Sequence, residues 1–367
     1  MSHFPEEPLD SPSGYFPGRL NQTLNNGCWT ILRKLGWGSH SSCWLAVDSK
    51  NLDNIEAIKI YTAAATKEPR STNERDILQT LWDFQIISSV PVQRNNFYEE
   101  SEVGRHLCLV HHTLGPSILS FLDNDTPQGS YLPLHIAKNA IGEVVEVLCS
   151  LHEKGIIHGA VTPDHILLSA SQQGPDIRNY LSKNPSIPGE DVKDGQGKLH
   201  HIIKSQPLTT SGLSRQSTAA DFANFGMYLI NYSHARILSD NVPLDAPSAF
   251  LPPESSVNGA KINARADIWM LGCTIYTLSI GHPPFESSSG PLTLEKVEEV
   301  VDGAETAIAA TNAMSAEDAK KTALIIKACL KYKSEERPTA LDLIGYKWVA
   351  EGLMCSCGWC SSRSNSS

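Results

Sequence analysis

The chain of 367 residues predicts an α+β fold of two lobes, a small strand-rich lobe first and a larger helical lobe after it. Two observations carry this. Short apolar runs bounded by turn residues crowd the first third of the chain. Through most of the remainder, apolar residues recur at helical spacing. Strands grouped ahead of helices describe an α+β chain.

Residues 1–25 are rich in Pro, Ser, Gly and Asn and are expected to be a flexible lead-in. The strand signals then begin. Trp29–Leu35, Ser42–Val47 and Ile55–Tyr61 are separated by Gly36-Trp37-Gly38 and by the polar stretch Asp48–Asn54, which reads as a hairpin turn. Ser71–Leu81 reads as a helix preceded by Pro69, with Ser71 and Glu74 spaced as a capping box. The apolar run His106–Leu114 closes the first lobe. Leu134–Lys154 follows as a long helix, stopped by Gly155. Asp267–Ile280 is apolar nearly all round and is expected to be a central buried helix. Ser315–Lys331 and Leu341–Glu351 are further helices. The expected organisation is a lead-in 1–25, a first lobe 26–114, a second lobe 115–351 and a cysteine-containing tail 352–367. Within the second lobe, the insert 171–208 is rich in Gly and Pro and has little periodicity. A loop this long is usually functional or disordered.

Composition narrows the function. Acidic residues outnumber basic ones, 40 to 30, for a net charge of −10. Gripping nucleic acid or an anionic membrane through charge is therefore not expected. No apolar run approaches the roughly 18 residues of a membrane-spanning helix. The opening residues have neither the basic start nor the apolar core of a secretory signal. Scattered cysteines in a long chain suggest a reducing compartment. Cys355, Cys357 and Cys360 supply three thiols in a short span, but a fourth zinc ligand is not evident nearby.

Several short motifs occur in order. Leu35-Gly36-Trp37-Gly38-Ser39 is a glycine-marked turn between two strands, ending toward Ser41 and Cys43. Glycines let backbone N–H groups approach phosphates, although an ordinary hairpin fits the same fragment. Lys59 ends the apolar strand segment Glu56-Ala57-Ile58 and can neutralise phosphate oxygens, or it can be a surface lysine. Glu74 is positioned to hold that lysine, or to complete the capping box. Further on come His158-Gly159-Ala160, Asp221-Phe222-Ala223, Pro253-Glu254, Asp267 and Glu336-Arg337-Pro338.

As an ordered series these motifs resemble the eukaryotic protein kinases over roughly residues 25–350, and within them the SR-protein kinases, particularly divergent fungal members. Lys34-Leu35-Gly36-Trp37-Gly38, Trp44-Leu45-Ala46, Leu114-Gly115-Pro116 and the long insert ending near Ser205-Gln206-Pro207 carry that resemblance. It implies that Leu35, Gly36, Trp37, Gly38, Ser39 and Cys43 cover the ATP phosphates and base. Ala57 and Leu167 would sandwich adenine, Lys59 would contact phosphates and pair with Glu74, and Asp221 would hold one Mg²⁺. His158 and Phe222 would stack in a hydrophobic column. Glu254 with Arg337, and Asp267 with the catalytic-loop backbone, would be structural.

The catalytic loop departs from the family pattern. Ala160 stands where the proton-accepting Asp belongs, Thr162 where a Lys steadies the phosphoryl group, and His165 where an Asn binds a second metal. The glycine after Asp221-Phe222 is Ala223. A positioned base contributes ~10²–10⁴ in rate, and groups that act as one unit fail together. The expectation is therefore an ATP-binding pseudokinase acting as regulator or scaffold, with no intact catalytic residue. Two alternatives stand beside it. One is an active serine/threonine kinase for Arg/Ser-rich proteins; the other is a nucleotide-free protein interaction module. Expected partners are ATP and a protein, with no nucleic acid and no membrane span. The chain is expected to be a monomer in cytoplasm or nucleus.

Overall fold

The computed structural model describes residues 6–86, 88–121, 131–170, 174–209, 213–215, 217–218, 221–222, 225–238, 244, 246–257, 262–285 and 291–353. The chain divides into two compact units. The first holds Met1–Ile87, Pro91–Pro116 and Ser169–Ser211, and the second holds Ser88–Val90, Ser117–Leu168 and Gly212–Ser367.

The first unit is built on an antiparallel sheet of β1 (Thr23–Leu24), β2 (Trp29–Gly38), β3 (Ser41–Asp48), β4 (Ile55–Tyr61), β5 (Gln93–Ser101) and β6 (Gly104–His111), in the order β1-β2-β3-β4-β6-β5. Helices α1 (Ala63–Lys67) and α2 (Pro69–Asp83) follow β4. The three apolar runs at the start are strands, as expected. β5 has no apolar alternation, because it is an edge strand on which Phe97 alone is fully buried. Cross-strand partners share a face. Pairing of Cys43 with Lys59, Leu45 with Ala57, and Ala57 with His111 therefore gathers these residues on one side of the sheet. The other side buries Trp44, Ala46, Ile58, Ile60, Cys108 and Val110 in an apolar core.

Two segments depart from expectation. Residues 6–24, anticipated as a flexible lead-in, are packed onto the first unit. Phe16 joins the Trp44 core, and Leu9 and Tyr15 cluster with Ile202. Gly18 lies so close to the Trp44 indole that an added Cβ would meet it at 2.6 Å. The segment is polar in composition, but its few aromatic and acidic side chains find buried partners. Glu6 and Glu7 both meet the buried Lys34 ammonium.

The insert, expected within the second lobe, belongs to the first unit and is structured. It forms a helix, Pro175–Lys183, and a hairpin of Glu190–Lys193 with Leu199–Ile202. Ile177 and Leu208 bury themselves against Leu45 and Ile55, with Leu35 alongside. Polar ties reinforce this. Gln206 N–H donates to the Lys34 carbonyl at 2.9 Å. Ser186 Oγ donates to Leu32 O at 2.8 Å and Arg33 Nε donates to Ser186 Oγ at 3.2 Å. The insert's buried apolar side chains, Ile177, Ile202, Ile203 and Leu208, follow no helical or strand period along a Gly/Pro-rich stretch, so only their packing onto the first unit reveals them.

The second unit is mainly helical. Helix α3 (Leu134–Glu153) matches the long periodic run, and Lys154 and Gly155 close its C-terminus. Helix Arg265–Ile280 is buried through nearly its whole length, as its all-round apolarity requires. Helices Leu294–Ala310 and Ala316–Cys329 pack beside it, the latter capped by Ser315. The expected helix Leu341–Glu351 is two helices, Ala340–Ile344 and Lys347–Leu353, parted at Gly345 and Tyr346.

Candidate functional site

In the first unit, Lys59 Nζ lies 2.6 Å from Glu74 Oε2. The capping-box alternative for Glu74 does not hold. Helix α2 starts at Pro69, with Glu68 as its N-cap and no side-chain cap bond, so Glu74 stands inside the helix. Its carboxylate also accepts from the Tyr61 hydroxyl, a residue on the Lys59 face that the sequence reading passed over. Burial works to raise the Glu74 pKa. The Lys59 charge first, then His111 and the bonds from Lys59 and Tyr61, outweigh it, and the net shift is downward. Glu74 is thus an ionised, buried carboxylate held by its partners.

The glycine-marked turn is the β2–β3 hairpin, with Gly38 opposite Ser41 and Gly36 opposite Cys43. Space is open around Gly36 and Gly38. Trp37 is exposed and meets the Tyr15 ring edge-on at 6.1 Å, while Tyr15 donates to the Gly38 carbonyl at 2.8 Å. Ser39 is exposed. Burial pushes the Cys43 thiol up to about 11, so it is a neutral thiol there.

The second unit carries the remaining positions. Asp267 is fully buried and accepts from His158 N–H and Gly159 N–H, each at 2.8 Å, and pairs with His152 Nε2 at 2.9 Å. It therefore anchors the loop backbone, as the motif implied. Gly159 has φ +77°, and a Cβ there would lie 2.7 Å from the His234 carbonyl. No larger residue is accommodated without a shift. Glu254 and Arg337 make a bidentate pair, both bonds 2.7 Å.

Ala160 is fully buried, and its methyl group accepts no proton. His165 Nδ1 donates to the Ala160 carbonyl at 2.8 Å and lies 3.0 Å from Thr162 Oγ1. On its other side, His165 Nε2 accepts from Asn231 Nδ2 at 2.9 Å. The three substituted positions thus form a hydrogen-bonded turn of their own. Asp164, the nearest carboxylate in sequence, is exposed. Leu167 lies on strand Ile166–Ser169, opposite Tyr228.

Asp221 is exposed. It accepts from Thr218 N–H at 2.7 Å and Thr218 Oγ1 at 2.8 Å, and its own N–H donates to Thr218 Oγ1 at 3.2 Å. This is the reciprocal pattern of a capping box. The bonds from Thr218 hold its carboxyl below the usual range. His158 meets the Tyr232 ring, and Phe222 meets Phe121 and His135. The Thr218–Asp221 spacing was the available signal for the cap. Ala223 and the Cys355, Cys357 and Cys360 tail lie outside the described residues.

A family model described as protein kinase domain matches residues 228–349, which include Glu254, Asp267 and Arg337. Serine/threonine-protein kinase SRPK of Physarum polycephalum is 27% identical over 282 residues, covering 73% of this chain and 64% of that protein. Arabidopsis thaliana serine/threonine-protein kinase AFC1 is 24% identical, covering 80% and 56%. Schizosaccharomyces pombe protein kinase dsk1 is 29% identical, covering 56% and 40%. The chain is thus similar to the eukaryotic protein kinases, and among them to SR-protein kinases, at low identity. The kinase model begins after Asp221, so it rests on the structural half of the motif series and not on the degenerate loop. The chain spans between two fifths and two thirds of the length of these three relatives.

Proposed function

We propose that this kinase-like chain binds ATP but does not transfer phosphate efficiently, and that it works as a pseudokinase regulator or scaffold. One observation carries the reading. Ala160, Thr162 and His165 are bonded into a turn with no proton acceptor at the base position, while the Lys59–Glu74 pair is intact.

The residues present fit a nucleotide in part. Lys59 supplies an ammonium on the glycine-hairpin side of the sheet, and Asp221 supplies an ionised, exposed carboxylate. Each group suits its part by its own chemistry: the Lys59 ammonium would hold phosphate oxygens of ATP, and the Asp221 carboxylate would hold one Mg²⁺ that neutralises phosphate charge. Phosphoryl transfer depends on positioning and electrostatics, so loss of base, cation and second metal ligand together is severe.

Radiolabelled ATP with an Arg/Ser-rich peptide, beside a thermal shift in ATP with and without Mg²⁺, tests this. Expected are a Mg²⁺-dependent shift and no appreciable transfer. Turnover comparable to ordinary kinases overturns the reading and supports an active serine/threonine kinase for Arg/Ser-rich proteins. A specific observation favours another reading, a nucleotide-free interaction module: Asp221 is engaged by Thr218. No shift at millimolar ATP supports that module.

Among the described residues no helix is long and apolar enough to cross a membrane. A monomer in cytoplasm or nucleus is the proposed setting, with a protein partner recognised by the acidic chain.

A further inference from the structure

Residues 13–15 run beside the point where the chain leaves β4. Ala63 N–H donates to the Gly14 carbonyl at 2.8 Å, and Ala64 N–H donates to the Ser13 carbonyl at 3.0 Å. The approach is close: Gly14 has φ +64°, and a Cβ added there would lie 3.1 Å from the Ala63 Cβ. After this point Phe16 is buried in the Trp44 core; before it Glu6 and Glu7 meet the Lys34 ammonium. The segment is therefore fixed on both sides of Tyr15. From that position Tyr15 reaches the β2–β3 hairpin, where its hydroxyl donates to the Gly38 carbonyl at 2.8 Å and its ring meets Trp37 edge-on. Burial first, and then the Glu7 charge, push the hydroxyl up to about 12, so it stays protonated and donating.

The hairpin has little else to hold its tip. Gly38 and Ser41 are the last pair of the ladder before the turn. Nothing lies within 4 Å of a Cβ added at Gly36 or Gly38, and Trp37 and Ser39 are exposed. Glycine loses more conformational freedom than any other residue when it is ordered. Fixing one residue's backbone costs about 1–2 kcal/mol. A ligand that binds the amides of a loose hairpin bears this cost, whereas a hairpin ordered beforehand spares it.

We propose that Tyr15 is a positioning residue for the nucleotide-binding face of the first unit, its hydroxyl fixing the Gly38 carbonyl so that the hairpin amides meet the phosphates of a bound nucleotide in one geometry. This rests on the ATP-binding reading above. Residues 6–16 then serve the phosphate end of the site without touching the ligand.

The experiment measures binding of ATP and of adenosine, which has no phosphates, to the full chain of wild type and Tyr15→Phe. Hydrogen exchange of residues 36–42 is followed without ligand, and thermal melting checks the fold. Tyr15→Phe removes one hydroxyl and should lower ATP affinity by about two- to twelve-fold, the worth of one net hydrogen bond. Adenosine affinity should not change, and exchange in the hairpin should be faster. A merely structural role would weaken both ligands alike. An unchanged ATP affinity, an equal loss for adenosine, or unchanged hairpin exchange overturns the assignment while the ATP reading stands. If wild type binds no ATP, the ATP reading falls and the assignment with it. Should Tyr15→Phe not fold, Gly14→Ala, which presses the same segment away from Ala63, provides the same comparison.

Discussion

At the scale of single residues, the Lys59–Glu74 pair and the loop around Ala160 differ in how much of the kinase-like motif series they keep. The Lys59–Glu74 pair keeps an ammonium fixed by a buried carboxylate. Asp267 holds the His158 and Gly159 amides of the loop that carries Ala160, Thr162 and His165. Restoring Ala160→Asp alone should raise transfer to an Arg/Ser-rich peptide by less than about ten-fold, since the missing groups act together. Restoring Ala160→Asp, Thr162→Lys and His165→Asn together should raise it by ~10²–10⁴. Radiolabel incorporation checks both, and a wild type already as fast as the triple variant contradicts the loss of the base. The identity of Ala160 was legible from one line of sequence. The bonding of His165 to Ala160 and Asn231 was not, because Asn231 is remote in sequence.

At the scale of elements, the insert is a strap on the first unit. Its helix Pro175–Lys183 buries one side chain fully, Ile177, against Leu45 and Ile55. Ile177→Ala should cost ~2–4 kcal/mol locally, since deleting buried methyl groups leaves a cavity. The expected readout is faster limited proteolysis within 171–208, with cleavage in the second unit unchanged. Equal cleavage rates in the two proteins would contradict the strap. Strands β2, β3 and β4 were legible because each has a run of β-branched and apolar residues. Strand β5 and helix Leu294–Ala310 were not, because an edge strand and a mostly exposed helix place few apolar residues in any period.

At the scale of the whole molecule, the acid side of stability is set by groups in both units. His111 has its pKa lowered to about 4, so the unfolded chain binds more protons between there and the ordinary histidine range. Stability should fall as pH drops through that window, by on the order of 3 kcal/mol. Glu74 and Asp267 are depressed carboxylates, buried but outweighed by their partners. Their contribution is full above the ordinary carboxylate pKa and is lost as pH falls through their lowered values. Burial also lowers the His106 and His112 pKa values, so denaturant unfolding at stepped pH should show an early loss that His111→Leu reduces without abolishing, and a later loss that the variant keeps. A single late loss in wild type would contradict the assignment to His111.

The sequence by itself determined the α+β class, the ordered motif series and the absence of a base at position 160, since these depend on residue identity and local period. Only the tertiary structure decided that residues 6–24 and the insert belong to the first unit, that Glu74 pairs with Lys59 instead of capping its helix, and that Asp221 bonds Thr218. Lys34 shows the physical reason. Its ammonium is buried because Glu6, Glu7 and the Ile203 carbonyl reach it from two distant segments, and no local pattern encodes where distant segments meet.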